Sequence, residues 1–103
     1  MAGASTQLHE QPDVLGALAV DLHRALVSIQ EELEAVDWYH QRSIASTDAD
    51  LAAILAHHRD EEKEHAMMLL EWVRRHDVAL DRHLRTYLFT TDPVTEIEHS
   101  TEG

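Results

Sequence analysis

The sequence of 103 residues contains no cysteine, so disulfides, thiolate metal sites and cysteine nucleophiles are excluded. Glycine occurs three times and proline twice, and residues 17–92 contain neither. Aromatic residues account for only 5% of the chain. No apolar run approaches the roughly 20 residues that cross a bilayer, and residues 1–11 lack the apolar segment of a secretory signal. These absences predict a helical, cytoplasmic protein that does not bind membranes.

Basic residues are also scarce. Eight Lys and Arg stand against 20 Asp and Glu, which gives a formal net charge of −12. Nucleic acid is excluded as a partner, because phosphate binding requires a basic surface. The nine histidines, together with this excess of carboxylates, favour the binding of cations instead.

The long segment without glycine or proline is rich in Ala, Leu, Glu and Arg, which favour helices, and no window alternates as a strand would. The small polar cluster SIASTDAD at 43–50 predicts a break between two long helices at about 12–44 and 48–76, with Thr47 as the N-cap of the second. A shorter helix is expected over about 78–89, before a turn at Asp92-Pro93. We therefore expect an all-α domain over 10–98, flanked by disordered residues 1–9 and 99–103.

The predicted long helices are each roughly 45 Å in length. A single antiparallel pair of that size cannot enclose a core, so each helix leaves an apolar stripe open. We expect two chains to cover these stripes by dimerising into a four-helix bundle.

Polar residues interrupt the apolar seam of both long helices. In the first helix, Glu32 lies within rows of apolar residues at sevenfold spacing. In the second, Glu62 and His65 form a Glu-x-x-His pair on one face, midway along a seam that is apolar at both ends. Pairing of a single seam glutamate with His65 is one explanation. Because no Lys or Arg lies on either seam, a bound cation accounts better for both acids.

The types of ligand narrow the choice of metal. Carboxylates and imidazole without thiolate suit iron or manganese, and zinc less specifically. Di-iron carboxylate bundles take one Glu from each of two helices and Glu-x-x-His from each of two others. This chain supplies one of each, with Glu32 on the first helix and Glu62 and His65 on the second. Two chains related by a twofold axis would supply the complete set, so the expected dimer is also the metal-binding unit.

Three stretches of this sequence resemble the encapsulated ferritins, namely EELEAVDWY at 31–39, AILAHHRDEEKEHA at 53–66 and LRTYLFT at 84–90. The resemblance covers about residues 10–98. It implies a two-helix, ferritin-like ferroxidase whose subunits pair around a di-iron centre and assemble into a ring-shaped decamer. It also implies work inside an encapsulin shell, where iron oxidised by dioxygen is stored. The C-terminal targeting peptide usual in that family is absent from this sequence, so location in an encapsulin nanocompartment is expected from the resemblance alone.

The resemblance also implies roles for individual residues. The iron ligands of the family fall on Glu32, Glu62 and His65, which the seam pattern identifies independently. A tyrosine beside the di-iron centre corresponds to Tyr39, two helical turns from Glu32 on the same row. A purely structural core aromatic is the alternative for this residue.

A second acidic stripe lies on another face of the first helix. The resemblance assigns Glu31 and Glu34 to a metal-capture site that leads toward the ferroxidase centre, shielded by Trp38. A solvated acidic face is the alternative. An exposed tryptophan on this stripe favours an interface with a further copy of the chain.

A third stripe of possible ligands lies on the second helix. His57, Glu61 and Glu64 could bind calcium or another hard divalent cation near a subunit interface. A surface stripe neutralised by neighbouring basic residues explains them equally well. His58 lies on the seam, and we interpret it as an interior histidine without a role in the site.

Two other functions remain open at this point. The first is a hemerythrin-like di-iron carrier, because His58 and Glu62 also form His-x-x-x-Glu; such carriers build their site within one longer chain. The second is a non-enzymatic, acidic helical assembly protein in which the seam residues form a hydrogen-bonded network.

Overall fold

The computed structural model describes residues 6–102, and this part of the chain is almost entirely helical. Its helices are α1 (Pro12–Leu15), α2 (Ala17–Ala45), α3 (Ala49–His76), α4 (Val78–Tyr87) and α5 (Val94–Glu102). No strand occurs among the described residues. The predicted all-α class with two long helices is therefore confirmed. The disorder predicted for residues 1–5 and 103 concerns positions outside the described range.

The first predicted helix is divided at Gly16. This residue has φ 84° and ψ 167°, a conformation that is essentially restricted to glycine. Its N–H still donates to the carbonyl of Pro12, at 3.1 Å, and thereby closes the single turn of α1. The single helix predicted over 12–44 was thus wrong at its start, because the backbone of one glycine separates α1 from α2.

The connection between α2 and α3 consists of three residues, 46–48. Ser46 is extended, with φ −69° and ψ 132°, and ends α2. The carboxylate of Asp48 accepts a hydrogen bond of 2.9 Å from the N–H of Leu51 and so caps α3. Our assignment of Thr47 as the N-cap was therefore wrong by one residue, because the Asp48 side chain is the one that reaches the free N–H.

Helix α4 follows α3 after one residue. The Asp77 carboxylate accepts a hydrogen bond of 2.9 Å from the N–H of Leu80, which starts α4 in a new direction. The helix ends at Tyr87, two residues earlier than predicted, because Leu88 is extended and Phe89 has φ 60°.

Helix α5 was not predicted. It spans Val94–Glu102, and the carbonyl of Pro93 accepts hydrogen bonds from the N–H groups of Glu96 and Ile97 at its start. It therefore covers residues 99–102, which we assigned to a disordered tail. Proline is well suited to this position, because it needs no hydrogen bond of its own at the start of a helix.

Helices α2 and α3 form an antiparallel hairpin. The contacts between them join Glu32 to His65 and, seven residues further along α2, Tyr39 to His58, so residue numbers rise along one helix as they fall along the other. The described chain measures 49 × 42 × 22 Å, which makes it flat. None of the described helices combines the length and the hydropathy that crossing a membrane requires.

The core of the hairpin is small. Only three hydrophobic side chains are buried among the described residues, and they belong to Ala25, Ala66 and Val73. Large apolar side chains are exposed instead on every described helix longer than one turn, among them those of Leu26, Leu33, Ile54, Met68, Val78 and Val94. One chain thus leaves apolar surface open, as its length predicts, while dimerisation into a bundle stays a prediction.

Candidate metal centre

The hairpin brings Glu32, Glu62 and His65 together midway along its length. Glu62 and His65 are one turn apart on α3, and Glu32 faces them from α2. His65 Nδ1 lies 3.7 Å from Glu32 Oε2 and 3.6 Å from Glu62 Oε2. One possible donor atom from each of the three residues lies within 4.8 Å of the others. The structure therefore gathers the three residues that the sequence predicted as iron ligands into one group of metal-site size.

The electrostatics of this group favour a cation. The Glu32 and Glu62 side chains are 25% and 23% exposed, so each carboxylate has lost most of its contact with water. Glu32 Oε2 is buried and has no hydrogen-bond partner. A buried carboxylate oxygen without a partner costs free energy that a coordinated cation offsets. Two carboxylates and one imidazole suit iron or manganese, and within the described residues no other such group occurs.

Tyr39 lies on the same side of the hairpin as the metal group, but it is engaged by other residues. Its ring meets that of His58 on α3 edge-on, with centroids 5.3 Å apart and an interplanar angle of 78°. The guanidinium carbon of Arg42 lies 5.6 Å from the centroid of the Tyr39 ring. Tyr39 is half-buried, whereas His58 is exposed in the described chain, so the interpretation of His58 as an interior histidine was wrong for a single chain. The structure thus gives Tyr39 two ring neighbours that the sequence did not indicate.

The predicted capture residues lie along another face of α2. Glu31 is exposed, Glu34 is half-buried, and the Trp38 side chain is about half exposed. Trp38 lines a shallow surface depression together with Gln41 and Arg42. Within one described chain, Glu31 and Glu34 do not belong to any three-ligand group of metal-site size.

The third predicted set is only partly assembled. His57 Nε2 contacts Glu61 Oε1 one turn further along α3, and both side chains are more than half exposed. Glu64 instead lines a groove with Met67, Met68 and other residues of α3. The described chain therefore brings His57 to Glu61 but places Glu64 outside a shared three-ligand group.

A contact on the opposite side of the hairpin was not anticipated. Arg59 Nη1 lies 3.1 Å from His40 Nδ1, and because guanidinium only donates, the imidazole nitrogen accepts. Hydrogen bonds from Arg59 and then Lys63 lower the pKa of the Asp60 carboxyl to about 2. The contact between Arg59 and His40 joins positions 19 residues apart on different helices, so sequence spacing within one helix does not reveal it. The register of the hairpin could have indicated which residues of α2 and α3 meet. If Glu32 is paired with His65, Tyr39 is placed opposite His58.

The antiparallel hairpin with a central group of carboxylates and histidine defines a ferritin-like helical protein. The EncFtn-like family matches residues 7–91, and the chain belongs to that family. The predicted resemblance to encapsulated ferritins is thereby confirmed.

Individual relatives support the same assignment. The chain is 62% identical over 98 residues to the encapsulated ferritin-like protein of Rhodospirillum rubrum, an alignment that covers 95% of this chain and 70% of that protein. It is 54% identical over 97 residues to the ferritin-like protein of Thermotoga maritima, covering 94% of this chain and 85% of the relative. The crystal structure of a Nitrosomonas europaea protein superposes with a TM-score of 0.81 at 56% identity, over 84% of this chain and 96% of that one.

Proposed function

We propose that the protein is a ferroxidase that oxidises Fe(II) to Fe(III), with dioxygen as the electron acceptor. The observation that carries this proposal is the group of Glu32, Glu62 and His65, whose donor atoms lie within 4.8 Å of one another. The unpartnered oxygen of Glu32 provides a site where a cation gains binding energy. Membership of a ferritin-like family favours iron over other metals that accept the same ligands.

The proposed centre is shared between two copies of the chain. Three protein ligands are too few for two iron ions, whereas di-iron carboxylate proteins use four Glu and two His. The His65 side chain is 46% exposed, so the group is open toward solvent on one side. A second copy related by a twofold axis would close this side and contribute the missing half of the ligands.

The side chains have separate tasks in this mechanism. The Glu32 and Glu62 carboxylates bring negative charge that favours the trivalent over the divalent ion, and so promote loss of an electron by each bound iron. His65 coordinates in its neutral form, which limits the total charge of the centre and makes iron binding weaker in acid. Tyr39 is proposed as an aromatic residue beside the centre that can donate a hydrogen bond.

The acidic stripes are proposed as secondary metal sites. Glu31 and Glu34 would attract Fe(II) and pass it toward the centre, with Trp38 as a shield. His57, Glu61 and Glu64 would bind calcium or another divalent cation where subunits meet, since none of these sets forms a complete site in one chain. The net charge of −12 supports both roles, because an acidic surface concentrates cations around the protein.

The larger context is proposed from the relatives. The Rhodospirillum rubrum relative is named an encapsulated ferritin-like protein, and we propose for this chain that dimers form a ring-shaped decamer inside an encapsulin shell. The oxidised iron would leave the centre for mineral storage in that compartment. The exposed apolar side chains of the single hairpin support assembly into more than a monomer.

The test is an anaerobic Fe(II) titration followed by exposure to air, with ferric absorbance and mass in solution recorded on the same sample. We expect saturation at one iron per chain, a burst of oxidation, and a mass well above that of a monomer. Glu62→Gln should lose the burst, whereas Glu98→Gln, on α5, should retain it. Saturation at two irons per monomeric chain would identify a carrier, and the absence of saturable binding would identify a non-enzymatic assembly protein.

A further inference from the structure

A cluster of three side chains lies between the metal group and the α2–α3 connection. It consists of Tyr39, His58 and Arg42, and none of them belongs to the proposed ligand set. His58 contacts the Tyr39 ring edge-on across the hairpin, with centroids 5.3 Å apart. Arg42 approaches the same ring from one turn further along α2, at 5.6 Å from the centroid. The ring is therefore contacted from both helices.

These contacts are specific in their geometry. An interplanar angle of 78° directs the positive edge of one ring toward the negative face of the other, which is the preferred arrangement of aromatic pairs. The cation of Arg42 lies over the Tyr39 ring and is attracted by the negative charge on the face of that ring. Two interactions with different directions restrict the rotation of the Tyr39 ring more than packing by aliphatic side chains would.

The cluster is in register with the metal group. Tyr39 follows Glu32 by seven residues on α2, and His58 precedes His65 by seven on α3, so the two interhelical pairs are separated by about 10 Å along the axis. Side chains of a helix tilt toward its N-terminus. Tyr39 therefore leans back along α2 toward Glu32, and His58 leans along α3 away from Glu62.

We propose that His58 is a positioning residue, which together with Arg42 holds the Tyr39 ring toward the metal group. The proposal rests on the proposed ferroxidase function, because it gives Tyr39 a fixed orientation beside that centre. His58 acts through Tyr39 and does not bind iron. The role depends on a flat aromatic ring at position 58, and the ionisation of the imidazole is not required.

The first experiment measures the environment and mobility of the Tyr39 ring by ¹⁹F NMR, independently of iron oxidation. The chain has two tyrosines, so protein labelled with 3-fluorotyrosine gives two ¹⁹F signals, which Tyr39→Phe assigns. In His58→Ala and in His58→Leu, the Tyr39 signal should shift and sharpen as the ring gains freedom, while that of Tyr87 stays unchanged. His58→Phe, which restores a ring, should return the signal toward its wild-type position. His83→Ala, on α4, is the matched histidine control and should leave the Tyr39 signal unchanged.

Oxidation kinetics on the same variants complete the test. At saturating iron, His58→Ala should oxidise Fe(II) about tenfold more slowly with unchanged iron stoichiometry, as expected when a group near the reaction is misplaced. His58→Phe should recover most of that rate. An unmoved Tyr39 signal in His58→Ala, an unchanged rate, or a His58→Phe variant as slow as His58→Ala would each overturn the positioning role. A wild-type protein that does not oxidise iron would instead refute the ferroxidase proposal. The ¹⁹F comparison would still show whether His58 fixes the orientation of the Tyr39 ring.

Discussion

Glu32 is expected to destabilise the metal-free fold and to bind the metal in the proposed site. Its Oε2 is buried without a hydrogen-bond partner. We expect Glu32→Gln to leave the shape intact and to raise the free energy of unfolding of the metal-free protein by up to about 1 kcal/mol, because a desolvated charge is removed. The same variant should lose the stabilisation that the wild type gains from Fe(II), about 2.7 kcal/mol at a metal concentration of 100 times Kd.

Anaerobic thermal unfolding at one fixed chain concentration, with and without Fe(II), checks both parts of the Glu32 prediction. Glu96→Gln, an exposed change on α5, serves as the control and should behave as the wild type does. If Glu32→Gln retains the full stabilisation by iron, the carboxylate is not a ligand.

Gly16 controls the direction in which the chain enters α2. Its φ of 84° and ψ of 167° disfavour any residue with a Cβ, although no atom lies within 4 Å of where that Cβ would be. Gly16→Ala should therefore destabilise by about 1–3 kcal/mol through backbone strain alone. Urea unfolding followed by circular dichroism measures the loss. A neutral or stabilising effect would show that the break between α1 and α2 is not required by the native fold.

At the scale of helices, the junction of α3 and α4 is held by charges. Arg74 bonds to Glu71 at 2.7 Å and to Asp81 at 2.5 Å, and Arg75 bonds to Glu71 at 2.6 Å. Hydrogen bonds from Arg74 and then Arg75 lower the pKa of Glu71 to about 2, and a hydrogen bond from Arg74 is the main reason that the pKa of Asp81 is lowered. The network therefore stabilises the junction only while these carboxyls are ionised.

This network predicts a loss of stability in acid. Since the pKa of Glu71 is lower in the folded than in the unfolded chain, the unfolded state binds more protons as the pH falls from 4.5 toward about 2. The stabilisation is complete above that window and disappears within it. The urea midpoint of the wild type should fall more between about pH 5 and pH 3 than that of Glu71→Gln. Parallel acid dependence of the two proteins would show that the ion pairs do not stabilise the junction.

The two long helices show which features a sequence reveals and which it does not. Their existence and the group of Glu32, Glu62 and His65 were predictable, because periodicity within a helix places polar residues on an otherwise apolar seam. The separation of α1 from α2 was not predictable, because it depends on the backbone angles of Gly16. The start of α3 was not predictable either, because it depends on which side chain, that of Asp48, reaches the N–H of Leu51. Helix α5 was missed because residues 94–102 are too polar for a periodic pattern to stand out.

Contacts between the helices were harder to predict than the helices themselves. The pairs Tyr39–His58 and His40–Arg59 need the register of the hairpin, which no pattern within α2 or α3 supplies. Only after Glu32 and His65 are paired does the position of His58 opposite Tyr39 follow. The proposed role of His58, which lies outside the ligand motif, could therefore be inferred only from the structure.

The described part of the chain is built on the α2–α3 hairpin, which has two broad sides. One side carries Glu32, Tyr39 and His65, and a partner there would complete the proposed iron centre. Leu33 precedes His40 by seven residues and so lies on the other side, where His40 contacts Arg59. Leu33 is 51% exposed there. One twofold dimer covers only one of these sides, so a larger assembly is needed to bury the apolar surface of both.

Association of copies through this second side is directly testable with Leu33→Asn. The change removes an apolar side chain that a neighbouring copy would cover, so association should weaken by about 1–3 kcal/mol per buried side chain. Sedimentation equilibrium should show a lower average mass. The thermal midpoint at a fixed chain concentration should fall, because we expect a hairpin with so small a core to gain stability from association. Gln30→Asn, at an exposed polar position on the same helix, is the matched control. An unchanged mass for Leu33→Asn would mean that this side stays open to solvent and that assembly proceeds through the iron-binding side alone.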